Sequence, residues 1–227
     1  NSVYYIGKKI DGVVPQNVKI LKDYIFIDGK NVYLYGEKKE DIDLQTLKFF
    51  DDDSSYFFDK NNIYFQGDKL ENADFKSFKI MKSNFSKDKN SVYVDKQRLE
   101  GVSPKGFEVL NSDLNFIKDY KNVFYLDRAD DGITFIPRVQ NIEGVDIATL
   151  EFAGGHYSKY YKDKNNVYFM DNRDGKIKFK KLSYVNPKTF EMVDNTFARD
   201  DKNLYLFEYK LYGIDAKTFE KISSNIV

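Results

Sequence analysis

The residues of this 227-residue chain that could carry chemistry are carboxylates recurring at a regular spacing. One option is cation binding, but calcium takes about six to eight oxygens from neighbouring ligands, and one aspartate per sequence copy is too sparse for that. The alternative is a turn, because an Asp followed by Lys and Asn can accept hydrogen bonds from its own backbone. The spacing therefore predicts turn-forming residues and no metal site. These residues are Asp28, Asp59, Asp88, Asp119, Asp163 and Asp200.

Other candidate sites are weaker. His156 is the only histidine, so it cannot supply a multi-histidine metal site, and no nucleophile stands near it in a recognisable pattern. The segments "DDGITF" at 130–135 and "DNRDGKI" at 171–177 resemble calcium loops, but Arg173 stands where a ligand would be needed. We interpret both as hairpin turns. The sequence predicts no catalytic residue, no cofactor and a protein that is not an enzyme.

Each recurring Asp precedes a short apolar stretch such as "VYF" at 167–169. The central aromatic residue recurs seven times, with an apolar neighbour on either side in every copy. Successive residues of a strand point to opposite faces of the sheet, so this pattern predicts a central strand covered on both faces. We number the copies one to seven by these aromatic residues, which are Tyr4, Tyr33, Tyr64, Tyr93, Phe124, Tyr168 and Tyr205.

A second motif follows in each copy, as in "LEGVSPKGFEVL" at 99–110 and "LSYVNPKTFEMV" at 182–193. Asp, Ser or Asn followed by Pro begins a helical turn, because the side chain caps free backbone N–H groups. Only copy one departs from this, with Val14 at the capping position. Each copy is therefore predicted to contain a strand, the Asp turn, the buried strand, a tight hairpin, a short strand and the capped turn. The capping positions are Asp43, Asp74, Ser103, Asp146, Asn186 and Asp215.

Together these units predict an all-β fold of seven antiparallel β-hairpin repeats of about 30 residues each. We expect an open, superhelical, solenoid-like stack forming a single domain over residues 1–227. A closed β-propeller is the alternative.

The combination of "DKNxVY" turns with downstream "DPxTF" turns resembles the DKNYY family of bacterial repeat proteins, over the whole chain. The resemblance implies a secreted or surface-associated bacterial protein, with some relatives near toxin–immunity loci. It implies no activity and no catalytic residues.

Composition limits the function further. The chain has 36 Lys and Arg against 36 Asp and Glu, which argues against nucleic acid as a partner. It has no cysteine, and no apolar stretch of the length needed to cross a bilayer. The start at "NSVYY" reads as a copy trimmed by processing or cloning, so we expect a removed signal and a location in the bacterial envelope or outside the cell. A cytoplasmic location is the alternative.

The long hairpins of copies five and six are the predicted functional surface. Most copies have a tight hairpin such as "YIGKK", whereas these two have "FYLDRADDGITFIPRV" and "YFMDNRDGKIKFKKL". Insertions in repeat proteins often gather on the binding face. Mixed charges with two Phe residues favour a protein partner, and carbohydrate is possible but less favoured because the recurring Tyr residues are expected in the core. The predicted contact residues are Arg128, Asp130, Asp131, Phe135, Arg138, Arg173, Asp174, Lys176, Lys178 and Phe179.

Two functions fit these observations. The first is a non-enzymatic binding or structural module in the bacterial envelope. The second is an intracellular immunity or inhibitor protein that binds a toxin domain.

Overall fold

A computed structural model describes residues 2–22, 24–50, 55–82, 84–111, 115–154, 158–173, 176–194 and 196–220. The described chain is almost entirely strands and turns, with two 3-10 turns at Pro15–Asn17 and Phe75–Ser77. No helix in this part of the chain has the length and apolar character to cross a membrane. The structure confirms the predicted all-β class.

The chain forms two compact units, residues 1–99 and 100–227. In the first unit the described strands belong to copies one to four. They are β1 Val3–Tyr5, β2 Lys8–Ile10, β3 Lys19–Lys22, β4 Ile25–Ile27, β5 Val32–Leu34, β6 Glu37–Lys39, β7 Lys48–Phe49, β8 Tyr56–Phe58, β9 Ile63–Phe65, β10 Asp68–Lys69, β11 Lys79–Ile80, β12 Phe85–Lys87, β13 Val92–Val94 and β14 Gln97–Arg98.

In the second unit the described strands belong to copies five to seven, and the two longest hairpins lie here. They are β15 Glu108–Asn111, β16 Phe116–Lys118, β17 Val123–Arg128, β18 Phe135–Gln140, β19 Glu151–Phe152, β20 Tyr160–Lys162, β21 Val167–Asp171, β22 Lys178–Lys181, β23 Glu191–Met192, β24 Phe197–Arg199, β25 Leu204–Leu206 and β26 Tyr209–Leu211.

Each copy forms its own small antiparallel sheet. Copies two to seven each have four strands in chain order, and copy one has the pair β1–β2. None of these sheets, within the described residues, closes into a barrel. The predicted hairpin repeat is thus confirmed. The open path of the whole array and the single domain stay predictions.

The strand after the Asp turn is the third strand of its sheet in copies two to seven, with a partner on each side. Its aromatic residue is buried in all six, as predicted. Copy one is the exception, because Tyr4 is 62% exposed and β1 pairs with β2 alone. The prediction of burial was wrong there. In copies two, three, four, six and seven this ring packs on side chains of the preceding copy, and the described residues contain no copy before β1.

Successive copies within each unit share a core. In the first unit Val32 and Leu34 of copy two pack with Phe57 and Tyr64 of copy three. In the second unit the rings and aliphatic side chains of copies five and six, and of copies six and seven, form similar clusters. Short strands bury little area alone, so stability depends on contacts between neighbouring copies.

The close stacking of neighbouring copies requires glycine at two positions in the tight hairpins. Gly36 and Gly67 have φ of 80° and 97°, in the left-handed region that favours glycine. A Cβ at Gly67 would come within 2.2 Å of Leu34, and one at Gly36 within 2.8 Å of Tyr5. The tight turns therefore lie directly against the preceding copy.

Candidate functional site

The recurring aspartate is a structural clamp. In copy three, Asp59 Oδ1 accepts hydrogen bonds from the backbone N–H groups of Asn61 (2.7 Å) and Asn62 (2.8 Å). Its Oδ2 accepts from the Tyr64 hydroxyl (3.1 Å) and from the backbone N–H of Asp43 (3.0 Å) at the capped turn of copy two. One side chain thus shapes its own turn, fixes the buried tyrosine and connects two copies.

The same arrangement repeats along the chain. In every copy from two to seven, the Asp Oδ1 accepts the N–H groups two and three residues on. Five of these Asp residues accept the N–H of the preceding capping residue through Oδ2. The five pairs are Asp43–Asp59, Asp74–Asp88, Ser103–Asp119, Asp146–Asp163 and Asn186–Asp200.

The Lys of "DKN" and the Thr or Ser of the capped turn complete the connection. Lys60 Nζ lies 2.6 Å from Asp43 Oδ2, and the Lys60 N–H donates to Thr46 Oγ1 (3.0 Å). Copies four and six repeat both contacts, with Lys89 and Lys164. The two sequence motifs are therefore two halves of one inter-copy contact.

The pKa values of the aspartates agree with these contacts. Burial alone would raise the pKa of Asp59, but the N–H groups of Asp43, Asn61 and Asn62 and the Tyr64 hydroxyl hold it below its ordinary value. The Lys89 ammonium, followed by Ser77, lowers the pKa of Asp74 to about 2. These carboxylates are ionised and already coordinated by the protein, as the predicted turn role requires.

The long hairpins of copies five and six lie side by side and enclose an open groove of about 560 Å³. Its floor contains Phe116, Tyr125 and Met170. Its polar lining comes from both hairpins and from the turn before β16. These polar residues are Asn115, Asp127, Arg138, Gln140, Asn172 and Lys176.

The groove has charges of both signs. Arg138 Nε lies 3.7 Å from Asp127 Oδ2, a long ion pair between half-exposed side chains. Lys176 lines the groove from the hairpin of copy six, and Asn172 there accepts a hydrogen bond from Lys159 (2.6 Å). Aromatic rings below mixed charges and amides are suited to a polar organic ligand or a peptide segment. Arg138 and Lys176 are the two predicted contact residues brought together here.

At the tip of the copy-five hairpin, the predicted contact residues interact within the hairpin itself. Asp131 accepts the N–H groups of Ile133 and Thr134 and the Thr134 hydroxyl, so it forms the turn. Phe135 is buried, and the Arg128 guanidinium lies 4.4 Å above its ring. Asp130 is exposed at the same tip. Neither Arg128 nor Phe135 lines the groove.

The predicted residues of copy six divide between the core and an ion network. Phe179 is half-buried and packs edge-on against Phe116 and Tyr161. Arg173 contacts Asp171 and Glu208, together with Lys180, so it faces copy seven. Lys178 is exposed on β22, opposite Asp171. Asp174 lies outside the described residues.

Sequence reasoning missed most of the groove floor and the role of Glu208. In the sequence, Phe116 and Tyr125 look like ordinary strand residues. The one available indication of the groove is that neighbouring hairpins differ in length, which leaves one face of a sheet partly uncovered. Among the described residues no three carboxylate or histidine side chains come together as a metal site. His156 lies outside the described residues.

The fold and the inter-copy clamp define an all-β hairpin-repeat protein whose repeated motifs serve the structure. Comparison with family models gives two overlapping matches to the DKNYY family, over residues 1–97 and 85–227. This chain belongs to the DKNYY family. Searches of curated proteins and of solved structures found no match.

Proposed function

We propose that this chain is a non-enzymatic binding module that holds a protein partner in the groove between its two long hairpins. The observation that carries the proposal is the groove itself, with Phe116 and Tyr125 beneath Asp127, Arg138 and Lys176. Protein interfaces combine aromatic residues and Arg with a polar rim, which is the chemistry available here.

The sequences of the outer strands of the long hairpins, β18 and β22, favour the groove over strand addition. β18 carries Pro137, which has no N–H to donate to an added strand, and Arg138 follows it. β22 reads Lys178, Phe179, Lys180 and Lys181, and lysines on an edge strand discourage pairing. A partner is therefore expected to contact side chains in the groove.

The structural use of the motif residues supports a non-enzymatic role. Asp59 and Asp163 each accept four hydrogen bonds from the protein, which leaves little capacity for proton transfer to a substrate. We place the module in the bacterial envelope, on the strength of the family resemblance. Fractionation of cells that express the full-length tagged protein tests this location.

The proposal is tested in two stages. A benzophenone amino acid at Asn172 should crosslink the groove occupant in a native lysate, and mass spectrometry identifies it. The same amino acid at Lys48, an exposed position of the first unit, is the matched control. The purified partner is then titrated against wild type and the double variant Arg138→Glu/Lys176→Glu.

We expect the charge reversals to weaken binding by at least about tenfold, since both side chains line the groove. The matched double variant Lys19→Glu/Lys48→Glu should bind like wild type. Equal affinity for all three proteins would refute the groove as the binding site. A captured toxin domain would assign the chain to the immunity class instead of the envelope class.

A further inference from the structure

Two exposed tyrosines flank a lysine where copies six and seven meet. Tyr184 and Tyr212 are 82% and 80% exposed. Lys210 Nζ lies 5.6 Å from the ring centre of Tyr184 and 5.3 Å from that of Tyr212. Cation–π attraction holds the ammonium between the rings, so all three side chains are within reach of one ligand.

Tyr184 occupies a backbone position that does not suit a tyrosine. Its φ is 61°, in the left-handed region, and it stands two residues before the capping residue Asn186. Its carbonyl oxygen is fixed by Asn203 Nδ2 (2.9 Å) and the Tyr205 hydroxyl (3.1 Å). Five other copies place Gly or Asn at this left-handed position. Those residues are Gly12, Asn72, Gly101, Gly144 and Gly213.

A tyrosine here adds backbone strain without adding to the core, because its ring points into solvent. Strained residues that persist without a packing benefit are typical of binding sites. The ring is therefore better explained by a ligand than by the fold.

The surrounding charge also differs from that of the other copies. In copies one to three, the Lys opposite the recurring aromatic residue pairs with an acid two positions later. These pairs are Lys9–Asp11, Lys38–Glu40 and Lys69–Glu71. In copies six and seven the equivalent lysines are Lys181 and Lys210, and Ser183 and Tyr212 replace the acids. The substitution removes the acid that pairs with the equivalent lysine in copies one to three.

A shallow groove of about 450 Å³ adjoins Tyr184. Its lining includes the amides of Asn165 and Asn166, the Lys181 side chain and Ser183. Amides and hydroxyls beside an exposed ring supply hydrogen bonds in addition to a stacking surface. The groove and the Tyr–Lys–Tyr cluster meet at Tyr184.

We propose that this surface, defined by Asn165, Lys181, Tyr184, Lys210 and Tyr212, binds an acidic polysaccharide. The tyrosine rings stack on the faces of sugar rings, the lysines pair with carboxylates, and the amides bind hydroxyls. A nucleic acid is the other polyanion with rings that stack on tyrosine, and the oligonucleotide in the experiment below separates it from the polysaccharide. The site shares no residue with the groove of the long hairpins, and its test needs no protein partner.

The experiment titrates the intact protein with oligogalacturonate, a neutral oligosaccharide of equal length and a single-stranded oligonucleotide. Calorimetry measures affinity, and urea unfolding measures stability. The variant Tyr184→Gly introduces the residue that copies one, four, five and seven have at this position. The matched control is Tyr209→Ala, an exposed tyrosine on β26 that lies outside the cluster.

We expect oligogalacturonate to bind wild type and Tyr209→Ala equally, and Tyr184→Gly at least about tenfold more weakly, with unchanged or higher resistance to urea. Binding should weaken with salt, as charge pairing requires. The proposal is overturned if wild type does not bind oligogalacturonate, if Tyr184→Gly binds as well as wild type, or if the neutral sugar or the oligonucleotide binds more tightly.

Discussion

At the scale of single residues, the two oxygens of each motif Asp have different tasks. Oδ1 of Asp163 accepts two N–H groups of its own turn, and Oδ2 accepts the Tyr168 hydroxyl (3.0 Å) and the N–H of Asp146 (2.8 Å). Copy five lacks the hydroxyl, because Phe124 replaces the tyrosine. The aromatic ring is thus required by the core, and the hydroxyl adds a hydrogen bond where it is present.

Two buried tyrosines of copy six provide a matched test of this role. Tyr168→Phe removes a hydrogen bond to a carboxylate and should lower the free energy of unfolding by about 1.5 kcal/mol. The neighbouring Tyr161 hydroxyl is buried with no partner among the described residues. Tyr161→Phe should therefore be neutral or stabilising. Urea unfolding at neutral pH measures both, and equal losses would contradict the assignment.

At the scale of elements, the long hairpins have a structural stem and a separate tip. Phe179 and Ile177 of copy six pack against the shared core of copies five and six. Residues 129–134 of copy five extend beyond the last paired positions, Arg128 and Phe135. The sequence predicts that both hairpins are long. It does not show which of their residues form the packed stem and which form the tip, because this depends on which face the neighbouring sheet covers.

The stem and the tip can be altered independently. Replacing residues 130–133 by Asn-Gly keeps the hydrogen bond from the Ala129 N–H to the Thr134 carbonyl (2.8 Å) and should change the melting temperature by no more than about 2 °C, since Asn-Gly suits a two-residue hairpin closed by a hydrogen-bonded pair. Phe179→Ala removes ring contacts with Phe116 and Tyr161 and should cost about 2 kcal/mol. Calorimetric melting compares the two. A tip deletion as damaging as Phe179→Ala would show that the tip is also structural.

Most of the fold follows from sequence because each copy repeats a local rule. The Asp turn, the three apolar strand residues and the capped turn are short-range patterns, and the structure confirms them in copies two to seven. The contact between the two motifs was not predicted, since Asp43 and Asp59 are far apart in sequence and both read as independent turn residues. The groove was located by hairpin length alone, whereas its floor of Phe116 and Tyr125 depends on packing between copies.

At the scale of the whole molecule, the repeated clamps make stability depend on ionised aspartates. Several have a pKa below the ordinary value of 3.8, and for Asp74, where Lys89 is the largest cause, the pKa is about 2. When folding lowers the pKa of a carboxyl group, its contribution to stability is complete at any pH above the pKa of the unfolded chain. That contribution is lost as the pH falls toward the pKa of the folded protein. The affected pH range therefore begins near 4 and extends toward 2.

Melting temperatures measured from pH 7 to pH 2 test this dependence. We expect little change between about pH 7 and pH 5 and a steep fall below about pH 4. Asp74→Asn should be less stable at pH 7 and should lose less on acidification, because one titrating carboxylate is gone. A fall that is complete above pH 5, or none by pH 2, would contradict the clamp as an electrostatic contact.

The regular copies build the scaffold, and we propose that binding occurs where copies five and six depart from the regular hairpin. Hydrogen exchange with and without the partner captured at Asn172 tests this most directly. We expect slower exchange in peptides covering residues 124–140 and 167–181, and unchanged exchange in the motif turns of copies two to four. Slower exchange in those motif turns, with the long hairpins unchanged, would contradict it.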